Sequence, residues 1–238
     1  MELTVKQKQF NAAMELYTFR IRYRILDVSV SIINISLQIY LLCRVWPQSI
    51  GFGHQVLSLI AAYALADFIN GLVHMYMDNN DRYDSIAGPL IANFHLHHKI
   101  PQYKRNNLLL VYFTETGSKV WLVVYLLLVL FVLVVSDIRP AVSFTLVYIG
   151  ILSSVAEVSH YLCHSSTSAM AGFLGNCGLL LSKRHHAMHH LQDNSYYAFL
   201  NGVSDPLLNR VAALCFKGYK HRSDLHYAAY VGADSELR

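Results

Sequence analysis

Long apolar stretches, interrupted by a few polar residues, dominate the hydropathy pattern of this chain. The segment Val120–Val135 is apolar throughout, and with its flanks (about 118–136) it approaches the roughly 20 residues that a helix needs to cross a bilayer. Three further stretches, about 25–42, 55–73 and 141–158, are long enough but carry polar residues inside them or at their ends. The pattern predicts an all-α integral membrane protein with about four transmembrane helices.

The segments outside these spans are expected to be helical as well. Residues 1–24 lack the pattern of a cleaved signal peptide, and apolar residues recur there at helical spacing, which predicts an interfacial helix ahead of the first span. The residues of this face are Phe10, Met14, Tyr17 and Ile21. The apolar segment 171–181 is too short to cross a membrane and fits a re-entrant or surface-lying helix. Residues 160–238 are expected to complete a single domain, 1–238, as a helical cap, and the glycine-containing triplet 51–53 is expected in a turn.

Composition and charge support a membrane protein and orient it. The chain is 54% hydrophobic and 14% charged, whereas soluble domains average about 25% charged residues. Lys and Arg cluster in residues 1–24, 78–119 and 165–238, and only Arg44 and Arg139 lie elsewhere. Because positive residues mark cytoplasmic segments, both termini, the central loop and the cap are predicted to be cytoplasmic. Basic residues form no stripe interleaved with aromatic residues, so nucleic-acid binding is not indicated.

Histidine is the unusual residue type of this sequence. There are 13 His beside 15 Asp and Glu, while the four Cys contain no C-x-x-C pair, which argues against a disulfide framework or a thiolate zinc site. Ten of the histidines form four clusters on the predicted cytoplasmic side: His74; His95, His97 and His98; His160 and His164; and His185, His186, His189 and His190. We therefore expect a metal site just beneath the membrane.

The spacing within the clusters indicates more than one ion. His160 and His164 lie four residues apart and share a helix face, and His186 with His190 and His185 with His189 repeat this spacing. Adjacent helical residues point about 100° apart, so the doublets His97-His98 and His189-His190 suit two ions lying side by side. Two irons with four or five ligands each would need roughly eight to ten groups, close to the number that the clusters supply.

Acidic residues accompany the clusters. Asp67, Asn70, His74 and Asp78 form one polar stripe on the second span. We interpret Asp78 as a ligand or as a carboxylate that holds an imidazole, and Asp67 as the support of another ring. Glu157, one turn before His160, and Glu115, in the loop before the third span, are further candidates for a catalytic role. The alternatives are structural contacts between helices for the buried acids and a surface charge for Glu115.

Other common catalytic motifs are missing. The zinc-protease motif H-E-x-x-H does not occur, and the ligand count exceeds the three or four of a zinc site. A haem held by two His would need single histidines that face each other across helices. No dinucleotide-binding, Walker A or G-x-S-x-G motif is found, so any electrons must come from a separate carrier.

Several of these segments together resemble a known family. They are A-D-F-I-N-G-L-V-H-M-Y-M-D (66–78), F-H-L-H-H-K-I-P (94–101), T-E-T-G (114–117), H-Y-L-C-H (160–164), K-R-H-H-A-M-H-H (183–190), Tyr196-Tyr197 and Asn201-Gly202. In this order they are similar to the Kua/CarF lipid-desaturase family, whose members act on phospholipid alkyl or acyl chains. The similarity covers about residues 60 to 210.

The resemblance implies a membrane desaturase with a His-held di-iron centre that uses O2 and electrons from a cytochrome b5 or ferredoxin type of carrier. By position it implies the ligands His74, His97, His98, His160, His164, His186, His189 and His190, with Asp78 as an acidic member and His95 and His185 as additional candidates. Zinc is expected to replace iron on overexpression. The expected location is a bacterial inner membrane or the endoplasmic reticulum.

The expected reaction is formation of plasmenylethanolamine, a vinyl ether, from plasmanylethanolamine in the membrane. The loop 99–113 lacks acidic and His residues usual in the family, so desaturation of another phospholipid's acyl chain stays open, as does lipid hydroxylation on the same metal scaffold. A metal transporter or sensor is the alternative that is not an enzyme.

Overall fold

The computed structural model of the chain describes residues 5–99, 107–114, 119–191 and 195–215, and the described residues form helices and no strand. This confirms the predicted all-α class. The helices are α1 Val5–Phe19, α2 Ile21–Val45, α3 Gly51–Asp78, α4 Gly88–Lys99, α5 Leu108–Thr114, α6 Val120–Val135, α7 Pro140–Ser165, α8 Ala169–Asn176, α9 Lys183–Leu191 and α10 Asp205–Cys215.

Three helices, α2, α3 and α7, are long and apolar enough to cross a membrane, with 25, 28 and 26 residues. The apolar helix α6 has 16 residues and spans about 24 Å, which is shorter than the ~30 Å hydrocarbon core. Both α3 and α7 extend beyond the predicted spans, so the histidines expected after those spans lie on the same continuous helices. The predicted turn at 51–53 is wrong, because α3 begins at Gly51 with φ 72° and continues through Gly53.

The helices α3 and α7 run parallel and pack closely. Small residues at the interface, Ala62 and Ala66 on α3 and Ala156 on α7, are fully buried, and small side chains let helix backbones approach each other in a membrane. Ser58 donates to the carbonyl of Ala141 near the start of both helices (3.1 Å). Because the two helices run in the same direction, their carboxyl ends lie side by side at one end of the bundle.

The apolar face of the N-terminal helix α1 packs against other parts of the protein. Phe10 and Met14 are buried in a cluster with Tyr83, Ile91 and Ala92, so this apolar face packs against α4 and the loop before it. The position of α1 at the membrane interface stays a prediction. Ile21 belongs to α2 and is 73% exposed, because the chain begins a new helix after Arg20.

A network of polar side chains lies inside the bundle. The Lys119 ammonium, which precedes α6, forms an ion pair with Glu157 on α7 (Nζ to Oε1 2.9 Å). It also donates to the Asn70 side chain (2.8 Å) and to the Ser153 carbonyl (2.7 Å). Glu157 is thus engaged by a buried cation one turn before His160. The ion pair joins the start of α6 to the helix that carries two of the clustered histidines.

Breaking this ion pair should destabilise the bundle. Lys119→Met leaves a buried carboxylate without its cation, and we expect a loss of about 3 kcal/mol in the free energy of unfolding. The measurement is unfolding in mixed micelles. The matched control Lys119→Met/Glu157→Met removes both charges and should lie within about 1 kcal/mol of the parent. Equal stability of the single variant and the parent would contradict a structural role for the pair.

The predicted orientation can be tested by cysteine labelling. In a background without the four native cysteines, Ser85→Cys should react from the cytoplasmic side and Gln48→Cys from the opposite side, since both positions are exposed in loops and lie at opposite ends of α3. A membrane-impermeant maleimide applied to right-side-out and inverted vesicles gives the readout. Labelling of both positions from the same side would overturn the four-span arrangement and its orientation.

Candidate metal centre

Eight imidazoles and one carboxylate converge where α3 and α7 end and α4 and α9 meet them. Their ligand atoms form three groups, and within each group the atoms lie within 4.8 Å of one another. The groups are His74, Asp78, His98 and His189; His97, His98 and His190; and His160, His164 and His186. These are the eight histidines and the acidic residue that the family resemblance implies, brought together from four helices. Each group could hold a metal ion.

The first group surrounds the Asp78 carboxylate. Its Oδ1 lies 3.1 Å from His98 Nε2, and its Oδ2 lies 3.4 Å from His74 Nε2 and 3.3 Å from His189 Nε2. His74 and Asp78 are one turn apart on α3, so the spacing seen in the sequence places both on one face. A buried carboxylate facing three imidazoles supplies one negative charge and several lone pairs to a shared point, which is the donor set of a divalent or trivalent cation.

The third group combines His160 and His164 of α7 with His186 of α9, and all its members are imidazoles. The His160 and His164 Nε2 atoms are 3.1 Å apart, and His186 Nε2 lies 3.0 Å from the first and 2.8 Å from the second. His190 Nε2 is a further 3.0 Å from His186 Nε2. Ligands held at right angles about 2.1 Å from one ion lie about 3 Å apart. The spacing of these nitrogens therefore matches that of neighbouring ligands around one cation.

The remaining group connects the other two. His98 belongs to both the first and the second group, and the His97 ring centroid lies 5.2 Å from that of His160 and 5.5 Å from that of His190. The members of the doublet His189-His190 fall into different groups, as the 100° between adjacent residues predicts. His97 and His98 both belong to the second group, so the prediction that each doublet is divided is wrong for this pair. The arrangement has room for two neighbouring ions.

Backbone carbonyls orient several of the rings. His74 Nδ1 donates to the Tyr197 carbonyl (2.8 Å) and His189 Nδ1 to the Ser195 carbonyl (2.9 Å), and His97 Nδ1 bonds in the same way to the Phe94 carbonyl. Because a carbonyl oxygen only accepts, Nδ1 carries the hydrogen in these rings and Nε2 keeps its lone pair. That is how imidazole metal ligands are prepared in proteins.

The loop 195–204 supplies two of these carbonyls, those of Ser195 and Tyr197, and the sequence pattern assigned this loop no role. Asp67 on α3 stabilises this loop. Its Oδ1 accepts hydrogen bonds from the backbone amides of Leu200 (3.0 Å) and Asn201 (2.9 Å). Asp67 Oδ2 accepts the Ser204 hydroxyl (2.6 Å). Asp67 thus orders the loop whose carbonyls hold His74 and His189, so its support of these rings is indirect. The signal in the sequence is a carboxylate inside an apolar helix, which needs several donors when it is buried.

An aromatic ring from the same loop lies between His74 of the first group and His160 of the third group. The Phe199 ring is stacked on His160, with centroids 4.2 Å apart and planes at 16°, and its centroid also lies 4.2 Å from that of His74. This apolar ring covers the sides of two imidazoles and leaves little room for water between them. Phe199 has no polar side-chain atom, so the pattern of metal-binding residue types in the sequence does not point to it.

Several candidate residues lie outside the three groups. His95 is fully buried, with Nδ1 2.7 Å from the Tyr83 hydroxyl and Nε2 2.8 Å from the Met77 carbonyl. His185 points to Asp205 (2.5 Å) and so does not pair with His189. His54 lies 20 residues before His74, about 30 Å away along α3, and bonds to the Ile50 carbonyl. The candidate Glu115 falls outside the described residues, as do His221 and His226, which the sequence pattern did not assign to the site.

Burial sets the protonation of the rings outside the spans. Desolvation, reinforced by neighbouring imidazoles, holds the pKa of His97 and His186 well below the ordinary value. The pKa of His98 is also lowered well below the ordinary value by burial, although Asp78 opposes the shift. These rings are thus neutral at physiological pH, the form in which imidazole binds metals.

The fold and the site define a helical membrane protein with a buried His-rich site that could hold metal. A family model described as a lipid desaturase domain matches residues 63–216, which is more than half of the chain. The protein therefore belongs to the Kua/CarF-type lipid desaturase family. No curated protein and no solved structure matches the chain. The match covers α4 to α10 and most of α3, and so includes all three groups.

The stability of the metal-free protein should fall as the pH is lowered from 7.5 to 5.5. Histidines in the unfolded chain take up protons near pH 6.5, while the buried rings of the folded protein stay neutral. The unfolded state therefore binds more protons as the pH falls. This lowers the free energy of unfolding by up to about 1.4 kcal/mol per pH unit for each such ring. Thermal unfolding of the metal-free protein in detergent measures this effect. His97→Leu should reduce the pH dependence, because this variant removes one of the buried neutral rings. Equal stability at both pH values would contradict the buried neutral state.

Proposed function

We propose that the protein is an O2-dependent desaturase that holds two irons in its histidine groups and introduces a double bond into a membrane lipid chain. The observation that supports this most directly is the convergence of eight imidazoles and one carboxylate in a chain of the lipid desaturase family. A site with three or four ligands would serve a single zinc ion, whereas this number of donors fits two ions with four or five ligands each.

The ligands divide between the two irons by position. His74, Asp78, His98 and His189 would hold one iron, and His160, His164 and His186 the other. His97 and His190 lie between these sets and would complete them. In this assignment one iron has a carboxylate ligand and the other has imidazoles alone.

The bound irons would supply the oxidant that abstracts hydrogen from unactivated carbon, a task beyond any side chain. Overall, a saturated –CH2–CH2– unit, O2, two electrons and two protons give –CH=CH– and two waters. The electrons come one at a time from a carrier of the cytochrome b5 or ferredoxin type, since the sequence has no flavin- or nicotinamide-binding motif.

The residues of the chain itself bind, orient and exclude water. Neutral imidazoles present Nε2 lone pairs, because backbone carbonyls of loop 195–204 and of α4 hold the Nδ1 hydrogens of three rings. Phe199 closes the space between the two sets of ligands. The site lies at the end of the apolar bundle, so a lipid chain can approach from the membrane while the donor protein approaches from the predicted cytoplasmic side.

For the substrate we propose plasmanylethanolamine, which would be converted to the vinyl ether plasmenylethanolamine. Membership of the lipid desaturase family supports this choice of substrate. Desaturation of a phospholipid acyl chain or hydroxylation would use the same ligands, and the products distinguish these reactions.

The histidines should differ in their effects when each is replaced by Ala. His160→Ala and His190→Ala should abolish detectable product and reduce bound iron from about two per chain, since loss of a group that merely orients a ligand already costs roughly 10 to 100-fold. His54→Ala is the matched control and should stay within a few-fold of the parent, as should the variants at His221 and His226. His95→Ala and His185→Ala should keep iron but lose part of the activity or stability.

The measurements are mass spectrometry of total lipids from a host with and without each variant, and metal analysis of equally expressed protein. Reconstitution with iron distinguishes loss of the site from replacement by zinc. Normal product and iron with His160→Ala would refute the di-iron assignment. A hydroxylated product instead of an unsaturated one would replace desaturation with the alternative reaction.

A further inference from the structure

A cavity of about 270 Å³ lies between the end of α7, the short helix α8 and the start of α9. Its apolar wall includes Leu162 and Leu181, and Gly172 on α8 adds open space, because an added Cβ would meet no atom within 4 Å. Lys183 and Arg184 also line it. The volume is slightly below the 300–1,000 Å³ of typical small-molecule sites, so the cavity suits a compact group and not a whole lipid.

Lys183 and Arg184 lie at a helix end where positive side chains are unfavourable. Lys183 and Arg184 are both exposed and occupy the first turn of α9, which has no acidic residue there. Positive side chains at this end of a helix oppose the macrodipole. Among the ion pairs of the described residues, none involves either cation. Two adjacent cations without an acidic partner, at the edge of a cavity, favour an anion with several oxygens.

The surroundings of the cavity indicate the source of that anion. The helix α8 follows the predicted cytoplasmic end of α7 after three residues, which predicts a position near the membrane surface. Met170, Phe173 and Leu179 are 65%, 61% and 55% exposed. Exposed apolar side chains beside Lys and Arg are typical of segments that lie in the headgroup region of a bilayer. An acidic protein partner would need the two cations but not a cavity with apolar walls. A lipid headgroup at the membrane interface therefore fits these surroundings better.

We propose that this cavity binds the phosphate of a phospholipid headgroup through Lys183 and Arg184. Leu162 and Arg184 lie two residues from the ligands of α7 and α9, about 200° around each helix from them, so the cavity lies on the other side of these helices from the metal centre. A phospholipid anchored here by its phosphate would have its chains at the end of the bundle that carries the ligands. Binding through the phosphate would favour phospholipids over free fatty acids. This identification of the bound lipid as substrate rests on the proposed function, whereas the binding itself does not.

The test is lipid retention by the detergent-purified full chain, read by native mass spectrometry. The probes are dioleoylphosphatidylglycerol and dioleoylphosphatidylethanolamine, with dioleoylglycerol as the analogue without phosphate. We expect one phospholipid per chain and no retained dioleoylglycerol. Lys183→Gln/Arg184→Gln should weaken retention at least tenfold, since charge-assisted hydrogen bonds to two cations are lost. Gly172→Leu, which fills open space without changing charge, should weaken retention as well.

Matched controls separate this site from general charge effects and from the metal centre. Arg82→Gln/Arg210→Gln removes two exposed cations outside the cavity and should retain lipid normally. His160→Ala should lose iron but keep the lipid, whereas Lys183→Gln/Arg184→Gln should keep iron and lose the lipid. A failure of the proposed function would therefore appear in the iron and the product, and a failure of this proposal in lipid retention.

Three outcomes would overturn the proposal. Equal retention by Lys183→Gln/Arg184→Gln and the parent would show that the cations do not bind the headgroup. Binding of inorganic phosphate with no retained lipid would assign the cavity to free phosphate. Unchanged lipid retention combined with slower reduction by an acidic electron carrier would assign the two cations to that partner protein.

Discussion

A buried imidazole needs a partner for each ring nitrogen, and this requirement organises the end of the bundle. Withdrawing so many polar rings from water is costly unless every donor and acceptor is satisfied. The protein meets the requirement on the Nδ1 side of His74, His97 and His189 with backbone carbonyls. On the other side the lone pairs converge, and a cation bound there would satisfy them together.

The carbonyls must themselves be held in place, which explains the buried acids away from the ligands. Asp67 accepts hydrogen bonds from the amides and the hydroxyl of loop 200–204. Asp205 binds the amide of Ala198 and the ring of His185. Each carboxylate replaces the water that a loop backbone would otherwise need. The ligands are thereby fixed by a second layer of contacts, without which a chelating geometry would relax.

The same principle operates deeper in the bundle. Lys119 neutralises Glu157 and donates to α3 and α7 groups, so the polar residues of the apolar helices face one another and not the lipid. Gln38 joins this interior by donating to Ser154 (2.8 Å). Polar groups inside a membrane protein are expensive unless they are paired in this way. These contacts hold α3 and α7 in register, and the register places His74 and Asp78 beside the histidines of α7.

The sequence by itself determined the helical membrane class, the approximate positions of the apolar helices and the clustering of histidines, because hydropathy and helical spacing are local properties of the chain. It also identified His160 with His164 as sharing a face, since residues four apart on a helix must do so. Tertiary structure alone decided which acids serve which purpose. Asp67, Asp78 and Glu157 look alike in a helical pattern, but one anchors a loop, one faces three imidazoles and one pairs with Lys119. Apart from His74, which lies one turn from Asp78 on the same helix, their partners come from segments 20 to 137 residues distant in the chain. Only the packing of the helices and of the loop after α9 brings those partners within reach.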